Sequence, residues 1–154
     1  MISVSQELKV NPGQSGLAPL SRSDLWKGLK MKAENALPFV QGMSKCDVVE
    51  RTENGLIRDI EFQGKPARER ITFYPEKKVV FLRLSGDADG IIVNEILGTD
   101  DDLRVRFSFA FQLTEAESGS REEEELRKAV ETAYVAAVDA TLNGIRSAKA
   151  NGSL

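Results

Sequence analysis

The stretch Ser120–Ala150 reads SREEEELRKAVETAYVAAVDATLNGIRSAKA, and its pattern decides the fold. Ser120 and Glu123 stand at the S-x-x-E spacing of a capping box, in which each side chain takes up a free backbone N–H of the other residue. Glu122, Glu124 and Glu125 lie in the first turns, where the helix dipole favours negative charge, and Arg146 and Lys149 lie near the end that favours positive charge. Asn151-Gly152 is a stop signal. The spacing predicts a helix of roughly 30 residues, ~45 Å long at 1.5 Å per residue. Its apolar stripe, Leu126, Val130, Ala133, Ala137, Thr141, Ile145 and Ala148, advances in steps of three and four and so keeps one face. Most of that stripe is small. Such a helix either packs very close to its neighbour or leaves a hollow beside it.

A helix this long needs a surface to lie on, and the residues before it supply one. Six candidate strands run at about 44–52, 56–63, 66–74, 78–85, 90–98 and 103–113. They are separated by Glu53-Asn54-Gly55, Gly64-Lys65, Pro75-Glu76-Lys77, Gly86 to Asp89 and Thr99 to Asp102, all turn sequences. Connections so short force antiparallel neighbours, hence a meander. Further upstream, Ile2, Val4, Leu8 and Val10 alternate with Ser3, Ser5, Glu7 and Lys9, a half-buried strand. Asn11-Pro12-Gly13 ends it. Ser21, with Asp24 three residues on, caps a helix whose buried side is expected to be Leu25, Trp26, Leu29 and Ala33. Pro38 ends this helix, with room for one more turn at 38–40.

The turns set registers. A three-residue turn with Gly55 left-handed pairs Thr52 with Leu56, Glu50 with Arg58, Val48 with Ile60 and Cys46 with Phe62. A two-residue Asn54-Gly55 turn instead sets Arg51 against Arg58 and Glu50 against Asp59, two like-charge pairs, so the first register is expected. At Gly64-Lys65 the expected pairs are Glu61 with Arg68 and Asp59 with Arg70. The other face carries Leu56, Arg58, Ile60 and Phe62 beside Ala67, Glu69, Ile71 and Phe73, and is expected to look inward with Glu50, Arg58 and Glu69 as its charges. A four-residue turn at 99–102 sets Glu95 against Arg106 outside and Asn94 against Phe107 inside. Leu103, Val105, Phe107, Phe109, Phe111 and Leu113 point one way. In strand 78–85, Val80, Leu82 and Leu84 are expected inward, with Phe81 and Arg83 the competing set.

The totals narrow the chemistry. At 154 residues, 41% hydrophobic and 29% charged, the chain fits a single domain spanning 1–154 with a real core. A net charge of −3 gives no reason to expect nucleic acid or an anionic membrane. No apolar run is long enough to cross a bilayer, so no integral membrane association is expected. The first residues lack the basic and apolar regions of a signal peptide, and a cytoplasmic location is expected. Histidine is absent, which excludes His triads, His general bases and the usual zinc and iron sites. Cys46 is the lone cysteine, so no intramolecular disulfide can form. No cofactor and no metal are expected.

One strand, one or two short helices, a six-stranded meander and a long helix imply an α+β fold. A seven-stranded curved antiparallel sheet wraps around the long C-terminal helix, with room for a cavity between them. This order resembles the START-like (SRPBCC) superfamily with its helix-grip fold. More narrowly, Leu25-Trp26-x-x-Leu29 with Ala33-Glu34-Asn35, Leu56-Ile57-Arg58-Asp59-Ile60, Arg68-Glu69-Arg70-Ile71 and Val93-Asn94-Glu95-Ile96 resemble the AtaL-like family of small, mostly uncharacterised proteins. The likeness runs from about Gln6 to Ala148. It implies a ligand pocket and supplies no settled reaction; the missing histidine, present in some related hydrolytic or metal-dependent enzymes, is consistent with binding.

The sharpest chemical feature is the cluster Glu50, Arg58 and Glu69, since charges in an apolar interior need a network or a polar ligand. Arg58 can anchor a carboxylate, phenolate or enolate through two parallel hydrogen bonds. Glu69 or Glu50, in a partly dry pocket, can transfer a proton. The alternative is a structural ion-pair network. Asn94 is either a pocket hydrogen-bonder or a satisfied strand residue. Trp26, Phe39, Ile71, Phe107, Phe109 and Tyr134 read as pocket wall or core, and Cys46 as a small hydrophobe. Carboxylate-only metal binding by Glu50 and Glu69 is opposed by Arg58 between them. Three functions follow from these residues. The first is binding of a mid-sized apolar or aromatic molecule, polyketide-like, with one anionic or hydrogen-bonding end. The second is a cyclase, aromatase or isomerase working on such a molecule by carboxylate proton transfer, with Arg58 and Asn94 on the enolate. The third is a protein-interaction module, opposed by the lack of a visible apolar surface stripe. Whether the chain is an enzyme is left open, as is a homodimer.

Overall fold

The computed structural model describes residues 1–13, 17–113 and 119–154, apart from the side chain of Tyr134. In chain order the elements are β1 (Ile2–Lys9), α1 (Arg22–Glu34), β2 (Met43–Thr52), β3 (Gly55–Phe62), β4 (Lys65–Tyr74), β5 (Lys78–Ser85), β6 (Ala88–Thr99), β7 (Asp102–Leu113) and α2 (Arg121–Ala150). The strands form one antiparallel sheet in the order β1-β7-β6-β5-β4-β3-β2. The meander is as expected, and β1 joins it beside the last strand. A single helix, α1, precedes β2, followed by a turn in which Phe39 and Val40 donate to the Ala36 carbonyl.

Both helices start as their sequences require. Ser21 and Asp24 form the full reciprocal box. At α2 only half of the expected box is present: Ser120 Oγ accepts from Glu123 N at 3.2 Å, while the Glu123 carboxylate turns to Gly119 N at 3.1 Å. Asn151 caps the other end, and Gly152 takes a positive φ of 79° there, a conformation that costs glycine little.

The α2 stripe does two things along its length. Toward the C-terminus Val138, Leu142 and Ile145 are buried, and Ile145 presses on Gly28 of α1. There the helices meet closely because Gly28 has no side chain; the buried face of α1 is Leu25, Gly28, Leu29, Lys32 and Ala33, with Trp26 only half-buried beside it. Nearer its N-terminus, α2 offers Ala133, Ala136, Ala137 and Ala140 to the sheet, and a hollow remains.

Three registers differ from expectation. The β2–β3 turn is Glu53-Asn54, with Thr52 opposite Gly55, which is neither of the two turns expected. A bulge between Val48 and Glu50 then absorbs a residue, so Arg51 faces Leu56, Glu50 faces Ile57 and Val48 faces Arg58. With the turn at Glu53-Asn54, Arg51 does not meet Arg58, and Glu50, opposite Ile57 on the far side of the bulge from Val48, is exposed. Arg51 instead reaches α1, holding both oxygens of Glu34 at 2.7 and 2.8 Å. The β3–β4 turn is Gln63-Gly64, with positive φ at both residues, not Gly64-Lys65. Asp59 therefore pairs with Arg68, and Arg58 lies directly opposite Glu69. In β5 the competing set is the inner one: Ile71 pairs with Phe81 and Glu69 with Arg83. Leu82 and Leu84 are 43% and 46% exposed on the convex face beside Ile91, so an apolar surface patch exists where none was expected. At 99–102 the expected register holds, with Glu95 opposite Arg106 and Asn94 opposite Phe107.

The Gly28–Ile145 contact yields a direct test. Alanine is the better helix former by roughly 1 kcal/mol, yet Gly28→Ala is expected to destabilise by about 1–3 kcal/mol through overpacking. Ile145→Ala alone should cost about 2–5 kcal/mol, and far less in the Gly28→Ala background. Urea unfolding of the four proteins in a double-mutant cycle measures this coupling; additive losses would mean the helices do not touch there.

Candidate functional site

Between the concave face of the sheet and the alanines of α2 lies a cavity of about 300 Å³, at the small end of ligand cavities. Its wall is apolar where the strands alternate inward: Ile60, Phe81, Ile92, Phe107 and Phe109. A smaller hollow of about 130 Å³ adjoins it toward the start of α2, sharing Ile60, Phe62, Arg83 and Ala133.

Polar groups enter this wall from five elements: Lys32 of α1, Arg58 of β3, Glu69 of β4, Arg83 of β5 and Asn94 of β6. Arg58 is 3% exposed and Glu69 2%. Arg58 Nε donates to Glu69 Oε1 at 3.1 Å, with the Nη2 contact at 3.0 Å. Arg58 Nη1 donates to the carbonyls of Lys32 and Ala33 at 3.0 and 2.9 Å, and reaches Cys46 Sγ at 3.5 Å. Those carbonyls belong to the last turn of α1, where the helix supplies no N–H for them. The guanidinium is thus spent on protein acceptors and clamps the end of α1 to the sheet. Glu69 Oε2 faces Arg83 Nη2 at 3.7 Å, so both oxygens of Glu69 look toward guanidiniums.

The clamp aims Lys32. Its ammonium is buried, donates to Asn94 Oδ1 at 2.9 Å, and lies 4.4 Å from the centre of the Phe107 ring and 5.5 Å from that of Phe81. Burial, and next the positive charge of Arg58, push its pKa down to about 7, with Glu69 opposing. As an ammonium Lys32 can only donate, and in that form it fixes which end of the Asn94 amide faces it. Asn94 Nδ2 is then left without an acceptor among the described residues, and Arg83 Nε likewise.

Of the residues singled out in the sequence, Arg58, Glu69, Asn94, Phe107 and Phe109 line the cavity. Glu50 does not, because the bulge turns it to solvent. Trp26 lies edge-on to Phe73 at 6.1 Å, outside the wall. Phe39 packs against Gly144 and lines a separate surface hollow with Leu154. Ile71 is fully buried core. The side chain of Tyr134 lies outside the described residues. Cys46 is half-buried, its sulfur accepting from Ala36 N at 3.4 Å as well as from Arg58. Lys32 and Arg83 were not singled out. Lys32 was legible: it stands three residues after Leu29 and seven after Leu25, on the buried stripe of α1. Among the described residues no group of three acidic, cysteine or histidine side chains could hold a metal, and no helix is long and apolar enough to cross a membrane.

A curved antiparallel sheet gripping a long C-terminal helix over a cavity is the helix-grip fold of the START-like superfamily. The chain belongs to the AtaL family, described as acetylaranotin biosynthesis cluster protein L, whose model matches residues 4–152. Similar solved structures include TTHA0849 from Thermus thermophilus, with a TM-score of 0.72 and 14% identity over 96% of this chain and 97% of that one. A START superfamily protein from Mycobacterium smegmatis gives 0.69 at 12% identity, covering 94% and 97%. The Zhui aromatase/cyclase from a Streptomyces species gives 0.65 at 14% identity, covering 94% and 91%. Identities this low carry the fold and not the chemistry. No curated protein matches the chain.

Two outcomes follow from the charges. In the unfolded chain Lys32 keeps its proton up to its ordinary 10.5, but in the folded protein only to about 7. Between these values the folded state binds fewer protons, so stability should rise with pH across this window, by at most about 1.4 kcal/mol per pH unit, and the full cost should be felt below it. Urea unfolding at about pH 6 and about pH 9 should show this rise in the wild type and lose it in Lys32→Met; parallel profiles would refute the burial of a titrating amine. Arg58→Leu should cost about 3–5 kcal/mol, since it strands Glu69 and two helix-end carbonyls. Glu69→Gln should restore part of that loss, and Glu50→Gln none of it.

Proposed function

We propose that the cavity binds a mid-sized apolar or aromatic molecule, polyketide-like in its flat carbon frame, with an acceptor oxygen at one end held by Lys32, Asn94 and Arg83. The observation that carries this reading is the Asn94 amide. It is fully buried, it lines an apolar cavity, and its Nδ2 has no acceptor among the described residues. A buried donor left unpaired costs about 1–3 kcal/mol, which a ligand oxygen offsets. Arg58 is not the anchor in this reading, because its donors are already engaged; it holds α1 in place behind the site. The family description refers to a biosynthesis cluster protein, and one similar structure is an aromatase/cyclase; both support a small-molecule role.

A second reading, an enzyme of the cyclase, aromatase or isomerase type, is favoured by Lys32. An amine that exchanges its proton near neutrality, beside two orphaned donors, can carry a proton while Asn94 and Arg83 stabilise an enolate. Proton transfer through carboxylates has less support: Glu50 faces solvent, and Glu69 is the partner of two guanidiniums.

Thermal shift and native mass spectrometry with 2-naphthoic acid, 2-naphthol and naphthalene test the binding reading. The oxygenated compounds should bind better than the hydrocarbon. Asn94→Ala should weaken them roughly tenfold, the worth of one hydrogen bond, while leaving naphthalene unchanged. If none of the three binds, the proposal falls.

A further inference from the structure

We infer that Lys32 is a carbonyl-reactive amine, and that the cavity takes a molecule bearing an aldehyde or ketone and holds it as an imine on Nζ. This rests on reading the cavity as a small-molecule site, and adds to it a covalent step and a class of ligand. The geometry supplies each part the step needs. Lys32 Nζ reaches the cavity and spends one N–H on Asn94 Oδ1 at 2.9 Å. The carboxylate of this cluster does not hold the amine: Glu69 is paired with Arg58 at 3.0 Å and faces Arg83 at 3.7 Å. A neutral amine bonded in this way keeps its lone pair free. The second end of the same amide, Asn94 Nδ2, has no acceptor among the described residues, so an N–H is available for the oxygen of a carbonyl whose carbon approaches Nζ. The rings of Phe81 and Phe107 form apolar walls on which a flat carbonyl compound can lie.

Electrostatics favour the reactive form. Among the described residues the charged groups around Lys32 are Arg58 from β3, Glu69 from β4 and Arg83 from β5, while β7 presents phenyl rings and α2 presents alanines. Desolvation and a neighbouring cation are the two conditions that activate a lysine as a nucleophile, and both act here, bringing the amine to about 7. At neutral pH its uncharged fraction is roughly a thousandfold that of an ordinary surface lysine. In the reaction, the nitrogen lone pair attacks the carbonyl carbon, a C–N bond forms, and the carbonyl π pair moves to oxygen. Both amine protons leave with that oxygen as water through solvent, and the nitrogen lone pair closes the C=N bond. No oxidant or reductant is consumed.

The test is reductive trapping of the full chain with 2-naphthaldehyde and cyanoborohydride near neutral pH, read by intact mass and peptide mapping. One naphthylmethyl group per chain on Lys32, at least about tenfold above any other lysine, is expected from the difference in neutral fraction. The Lys32 labelling rate should level off just above its own pKa, whereas surface lysines should keep gaining to far higher pH. Lys32→Arg, which keeps a cation in place, should lose the selective label. Label spread over surface lysines and unchanged in Lys32→Arg overturns the inference. If 2-naphthol binds and the aldehyde gives no Lys32 label, the imine is refuted and the binding reading stands; if neither binds, both fall.

Discussion

The guanidinium of Arg58 is the constraint on which this interior depends. A positive charge 3% exposed needs partners on every side, and it finds them in three elements at once. Glu69 sits opposite it on the ladder, the final carbonyls of α1 meet it from above, and the Cys46 sulfur of β2 lies beside it. Helix ends are usually satisfied by glycine turns, water or exposed cations. Here a strand residue does it from inside, so the end of α1 cannot move without stranding a buried charge. Because Lys32 is one of the two residues whose carbonyl is held, its side chain is aimed by the same contact. Arg83 completes the arrangement by facing the second oxygen of Glu69.

The balance within this group is uneven: three cationic side chains face one carboxylate. An apolar set of similar volume would often give a more stable interior, and filling the space under α2 with larger residues than alanine would remove the cavity. The chain does neither. Gly28 brings one end of α2 hard against α1, while its middle turns, among the described side chains, offer the cavity only the methyl groups of Ala133, Ala136, Ala137 and Ala140. The hollow and the surplus of donors therefore coincide, at a cost in stability that a packing role alone does not explain.

How much of this could be read in the sequence follows from the reach of each signal. Period-two alternation in residues 103–113 and the two-residue reach of the Asp100-Asp101 turn act locally, and they placed Asn94 against Phe107 correctly. The charge cluster was read correctly as to face for Arg58 and Glu69 and incorrectly for Glu50. A bulge at Val49 leaves no compositional mark, and one inserted residue moves every later side chain to the other face. Strand 78–85 is apolar on both faces, so its direction was set by pairing with Ile71, which lies outside the strand itself. Lys32 lies on the buried stripe of α1 by its spacing from Leu25 and Leu29, but as one of three lysines, with 27 and 30, it carries no compositional mark of burial.

In the binding site proposed above, the same amine answers two kinds of guest, and linkage decides which. A carboxylate or enolate entering the cavity stabilises the ammonium and draws a proton onto Lys32, countering the burial and the Arg58 charge that bring it down to about 7. A neutral carbonyl compound does the reverse: it displaces water, deepens the desolvation and favours the free amine. An acid is then held as an ion pair, and a ketone or aldehyde meets a nucleophile. The protonation state that suits each guest is induced by that guest, and this is open only to a group whose two forms lie close in free energy in the empty protein. A lysine at its ordinary 10.5 would bind acids alone, and one pushed far lower would serve carbonyls alone. Burial, and after it the charge of Arg58, set the point between them.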